Sequence, residues 1–116
     1  MDKFEEFKNK EKFIPDSAIF YAGIAEPALR PVLTQIVNQA ADDFREVFST
    51  VSPTDAGYQQ KISAGLKRLD GIYLDTEDKE RLCHYFEELM EMVGLKSSAG
   101  ILNEFLYGFD PRKPEK

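Results

Sequence analysis

Cys83 and His84 are the chain's one cysteine and one histidine, and they are adjacent. A thiol beside an imidazole is the raw material of a nucleophilic dyad, in which the ring takes the thiol proton. Any Cys–His or Ser–His chemistry here must use His84. Yet neighbouring residues on a helix point roughly 100° apart and do not face each other. Cys83 falls at the edge of an apolar face, as a buried structural thiol would. His84 falls on the polar side, crowded by Glu80, Glu87, Glu88 and Glu91. Glu80, His84 and Glu88 recur every four residues and share one stripe, as a divalent metal would need. A di-iron bundle, however, uses Glu-x-x-His pointing inward, and the residue three before His84 is Arg81. The expectation is a solvated acidic face with no catalytic residue, no metal and no cofactor.

A second constellation is Asp70-Gly71-Ile72 followed by Glu77. With Gly71 at the sixth place of a calcium loop, Glu77 stands at the twelfth. The first and third places are then Leu66 and Arg68, which cannot ligate a cation. A helix-ending glycine followed by a capped helix explains the same residues. The seven glycines stand singly or at helix ends, and no glycine-rich phosphate loop follows a strand.

What remains is surface. Glu77, Glu80, Glu87, Glu88 and Glu91 form an acidic ridge on one helix, with His84 among them. Tyr85 and Met92 share one edge of that helix, and Tyr and Met are enriched in interface cores. These eight residues are the candidate partner-binding set. The chain has 15 Lys and Arg against 21 Asp and Glu, a net charge of −6. Such a balance steers basic partners. It argues against capture of nucleic acid or an anionic membrane. The expected function is a non-enzymatic interaction or regulatory domain, immunity- or antitoxin-like in covering a basic enzyme. A homodimer through the Tyr85–Met92 edge is another partner that fits. The alternative is a helical domain binding a small ligand or metal, with Asn38, Gln39 and Asn103 as pocket-lining residues.

The elements that must position this face are helical. Leu29, Leu33, Ile36, Val37, Ala40, Phe44, Val47, Phe48 and Val51 keep helical spacing over six turns. Ser52, Pro53 and Asp55 read as the start of the next helix, with Ser52 as N-cap. Its apolar line is Tyr58, Ile62, Gly65, Leu66 and Leu69, and Gly71 ends it. A third begins at Asp75–Thr76, with acids in its first turns where the macrodipole favours them. Its apolar face fills half the wheel, so it packs against two neighbours. Gly94 closes it, with Leu95 as the apolar residue that follows. Ser97 or Ser98 caps a last helix that carries Ile101, Leu102, Phe105 and Leu106 and stops at Gly108. Before all these, Phe4 and Phe7 suit a short helix laid on the body, and Asp16-Ser17 opens another short piece. No strand pattern competes. The sequence therefore predicts an all-α fold, a compact bundle of four main helices plus short N-terminal elements. Residues 1–111 form one domain and 112–116 a charged, loose tail.

The segments LDTEDKERLC, EELM, VGLKSS and LYGFDP, between Leu74 and Pro111, resemble a small family of uncharacterised all-helical bacterial proteins, the domain of unknown function DUF4844. The resemblance implies a single small helical domain and carries no activity. The N-terminus is charged from residue 2 without an apolar core, and one cysteine makes no internal disulfide. Both fit a cytoplasmic protein.

Overall fold

The computed structural model describes residues 2–19 and 21–108. The described residues hold five α-helices: α1 (Lys3–Asn9), α2 (Arg30–Phe48), α3 (Asp55–Lys67), α4 (Thr76–Val93) and α5 (Ile101–Tyr107). Single 3-10 turns stand at Ser17–Ile19 and Pro27–Leu29. No strand occurs among them, and the fold is all-α, a helical bundle. The tail expected after Pro111 lies outside the described residues, as does Phe20.

The long periodic run makes α2 the central element. Leu33, Val37, Ala40, Ala41, Phe44 and Val47 are buried at helical spacing, and α1, α3 and α4 all pack on this helix. Pro31 sits in the first turn, where its missing N–H breaks no bond. The helix stops sooner than the periodicity suggests: Phe48 is half-exposed and Val51 fully exposed, in the connection to α3. The cap of α3 is also shifted. Thr54, not Ser52, is the N-cap: its backbone is extended and its hydroxyl accepts the Gly57 N–H at 3.0 Å. That hydroxyl satisfies one orphan donor two residues later than the proline signal implies.

Gly65 brings α3 close to α4. An added Cβ there would lie 3.0 Å from Cζ of the fully buried Phe86. The ends of α4 match expectation. Asp75 accepts from the Asp78 N–H at 2.9 Å. Gly94 adopts a left-handed conformation, φ 75°, and the Leu95 N–H returns to the Met90 carbonyl at 2.9 Å. The last helix is a short one. Gly100 occupies its N-cap, while Ser98, buried, accepts from the Leu102 N–H at 3.3 Å.

The N-terminal segment docks. Phe4 and Phe7 are buried against the bundle, and Arg45 of α2 reaches Asp2 at 2.8 Å and Glu5 at 2.9 Å. After α1 the chain crosses as a strap, residues 10–25, folded back by an Asp16–Tyr21 bridge. Phe13 takes a left-handed φ of 61°, and its N–H donates to the Tyr85 hydroxyl at 2.9 Å.

Candidate functional site

α4 has two faces. Inward it buries Asp78, Leu82, Cys83, Tyr85, Phe86, Leu89 and Met90. Outward it exposes Glu77, Glu80, His84, Glu87 and Glu91. Cys83 and His84 diverge as their positions demand. The Cys83 thiol is buried and directed at the Leu102 carbonyl, 3.9 Å away. Burial pushes its pKa up to about 12, with Glu87 and Glu80 adding to the effect. It is a protonated packing group, and no Cys–His dyad forms.

Three members of the expected partner-binding set behave differently from the rest. Tyr85 is 2% exposed and makes no surface edge. Its ring stands edge-on to Phe13 and Phe7, at 5.1 and 6.2 Å, and its hydroxyl also accepts from Arg81 Nε at 3.2 Å. The strap, invisible to a helical wheel of α4 alone, covers it. Met92 is only partly exposed, packed on the core, and its carbonyl is taken by Lys3 Nζ at 2.6 Å. Glu88 is neutralised: Lys10 lies 2.6 Å from one oxygen and His84 Nε2 3.4 Å from the other. The apolar edge proposed beside the ridge is therefore absent, because α1 and the strap occupy it.

Glu77, Glu80, Glu87 and Glu91 share the outer face of α4. No ion pair engages any of the four among the described residues. The acids of α2, by contrast, have cations: Asp42 meets Lys8 at 2.9 Å, Glu46 meets Lys61 at 3.5 Å and the buried Asp43 meets Arg68 at 2.8 Å. Four exposed acids without a counter-charge thus stand together on the outer face of α4, whereas Glu6, Asp16, Glu26, Asp55 and Asp70, which also lack an ion pair among the described residues, are spread over other parts of the chain.

Two buried charged groups were not legible as such. Asp78 accepts from the Tyr21 hydroxyl at 3.0 Å and the Ala25 N–H at 3.2 Å, pinning the strap to α4. Burial raises its pKa, against the pull of those two donors. Lys12 is 1% exposed and has no carboxylate partner. Its ammonium donates to the carbonyls of Phe7 (2.5 Å) and Lys10 (3.0 Å), closing the C-terminal end of α1, and lies 4.5 Å from the Phe7 ring centre. Burial lowers its pKa to about 8.

Beside Lys12 a cleft of about 620 Å³ opens between the strap and α2. Asn38, one of the expected lining residues, does line it. Asn103 borders a separate hollow of about 280 Å³ with Cys83. Gln39 lines neither and donates to Asp43 at 3.2 Å. No cluster of three His, Cys, Asp or Glu able to hold a metal occurs among the described residues. No described helix is long and apolar enough to cross a membrane.

Comparison with known proteins bears on the fold. A search of curated proteins returned no match. Among solved structures, the chain is similar to a DUF3571 family protein from Acinetobacter baumannii AYE. The two share 37% identity with a TM-score of 0.82, over 91% of this chain and 86% of the other. The model of a domain of unknown function, DUF4844, matches residues 1–110, and the chain belongs to that family.

Proposed function

We propose that this protein is a non-enzymatic interaction domain whose outer α4 face receives a basic surface of a protein partner. One observation carries this. Glu77, Glu80, Glu87 and Glu91 are exposed and without cations, while acids on α2 are ion-paired. Like charges at i, i+3 and i, i+4 on a helix cost about 0.2–0.5 kcal/mol per pair. Glu77–Glu80 and Glu87–Glu91 are such pairs. A basic partner relieves that repulsion, and the field of the ridge speeds its approach. Tyr85 and Met92 take no part, so the contact is electrostatic at its centre. An inhibitor covering a basic enzyme, as immunity proteins and antitoxins do, is the concrete form, supported by analogy of size and charge. A protonated, buried thiol that takes part in no disulfide fits residence in the cytoplasm.

The test uses tagged wild-type protein and an E80K/E87K variant as baits in lysate of the native host, beside an acidic control protein of similar charge. Glu88 is left intact because it holds Lys10. A stoichiometric, salt-sensitive basic partner, absent from the control and lost with the variant, is expected. A partner retained equally by both baits would overturn the assignment.

A further inference from the structure

The cleft between strap and α2 has the opposite sign to the ridge. Its walls carry Lys10, Lys12 and Arg30 against one acid, Glu11, in a chain of net charge −6. Its volume of about 620 Å³ lies within the range of small-molecule sites. The three cations are not equivalent. Lys10 is committed to Glu88, and Lys12 to backbone carbonyls, where its buried charge adds a fixed positive field. Arg30 is the one whose donors remain available. Its Nε donates to the Lys12 carbonyl at 3.1 Å, which fixes the plane of the guanidinium. Its Nη2 stands 3.7 Å from Glu11, beyond hydrogen-bond reach, and the Glu11 side chain is 75% exposed.

We infer that this cleft binds a small organic monocarboxylate, seated on the Arg30 guanidinium in place of the loosely held Glu11 carboxylate. The chemistry follows from the inventory. One available guanidinium edge matches a carboxylate in bidentate geometry. A dianion would want a second free cation, and none is offered. Thr34 lies one turn beyond Arg30 on α2 and, with Gln35, supplies hydrogen-bonding groups in the cleft. The Pro31 ring and the aliphatic stems of the basic side chains supply an apolar wall for the rest of the molecule. This site is independent of the acidic face of α4.

Hexanoate and inorganic phosphate are the probes, titrated at low salt into ¹⁵N-labelled wild type, E11Q and R30K. Saturable shifts of the Arg30 side-chain N–H and the Thr34 and Gln35 amides are expected with hexanoate. E11Q removes the competing carboxylate and should bind roughly two- to fivefold more tightly, the scale of an exposed ion pair. R30K keeps the charge but loses the fork, and should bind several-fold more weakly. E11Q alters only an exposed side chain, so its result stands even if R30K folds poorly. Absence of saturation, or equal affinities in wild type and E11Q, would overturn the assignment. Phosphate binding as tightly as hexanoate at the same residues would overturn the organic class.

Discussion

Replacing Lys12 by Met should change how stability responds to pH more than it changes stability at any one pH. The ammonium is 1% exposed, and its pKa falls from the usual 10.5 to about 8. Burial is the main cause, nearby Lys10 adds to it, and Glu88 opposes it. Below pH 8 both folded and unfolded chains carry the proton, but the folded chain holds it at a disadvantage. The gap corresponds to a cost of about 3 kcal/mol at neutral pH. Between pH 8 and 10.5 the unfolded chain binds more protons than the folded one, so this cost declines as pH rises. By pH 9 about 1.3 kcal/mol of it is recovered. Met has a similar length and packs the same stem without a charge. It also abandons the Lys10 carbonyl, at about 1–3 kcal/mol for an unsatisfied group, and one of two donors to the Phe7 carbonyl, which keeps the Lys10 N–H at 3.3 Å. At pH 7 the two effects nearly cancel. Urea unfolding of both proteins at pH 7 and pH 9 reads the difference. With a slope of about 1–3 kcal/mol per molar, the wild-type midpoint should rise by roughly 0.4–1.3 M relative to K12M. Parallel pH profiles would mean that Lys12 titrates as a solvated lysine and would refute the reasoning.

Three other perturbations have definite outcomes. Gly65→Ala places a Cβ 3.0 Å from Phe86, whose fully buried ring must shift by a few tenths of an ångström to admit it. Overpacking of about 1–3 kcal/mol outweighs the helix-propensity gain of Ala, so thermal denaturation should show a lower Tm. Tyr85→Phe removes the acceptor of the Phe13 N–H and of Arg81. A loss of about 1–3 kcal/mol is expected, with faster hydrogen exchange at the Phe13 amide than in wild type. Cys83, with its pKa pushed up to about 12, should resist a thiol-reactive disulfide reagent at pH 8 until urea unfolds the chain. Rapid labelling of the native protein would contradict its burial.

The helices were legible where local rules sufficed. Asp75 capping α4 and the Gly94–Leu95 closure use neighbouring backbone groups only, and the spacing of Leu33 through Val47 displays the inner face of α2. Legibility ended where distant segments meet. Asp78 looks like a first-turn acid placed for the helix dipole, yet its partner Tyr21 lies 57 residues away. Lys12 reads as a surface charge, because only the turn of the strap at Phe13 and the carbonyls ending α1 make its burial tolerable. Tyr85 sits at the edge of the α4 wheel, and its cover comes from Phe7 and Phe13. The same strap explains the uneven legibility of the site. Glu77, Glu80, Glu87 and Glu91 face outward as their spacing dictates, whereas Glu88 is claimed by Lys10. The basic cleft had one legible residue, Asn38. Arg30 and Lys12 enter it through a chain crossing that no periodicity encodes.

The outer face of α4 as a receiver of basic protein is tested most directly by the dissociation constant of the captured partner. It should be measured for wild type and E80K/E87K at two salt concentrations. We expect the wild-type complex to weaken steeply with salt, and the variant to bind far more weakly at low salt with little remaining salt dependence. Equal affinities and equal salt slopes for the two proteins would contradict the assignment.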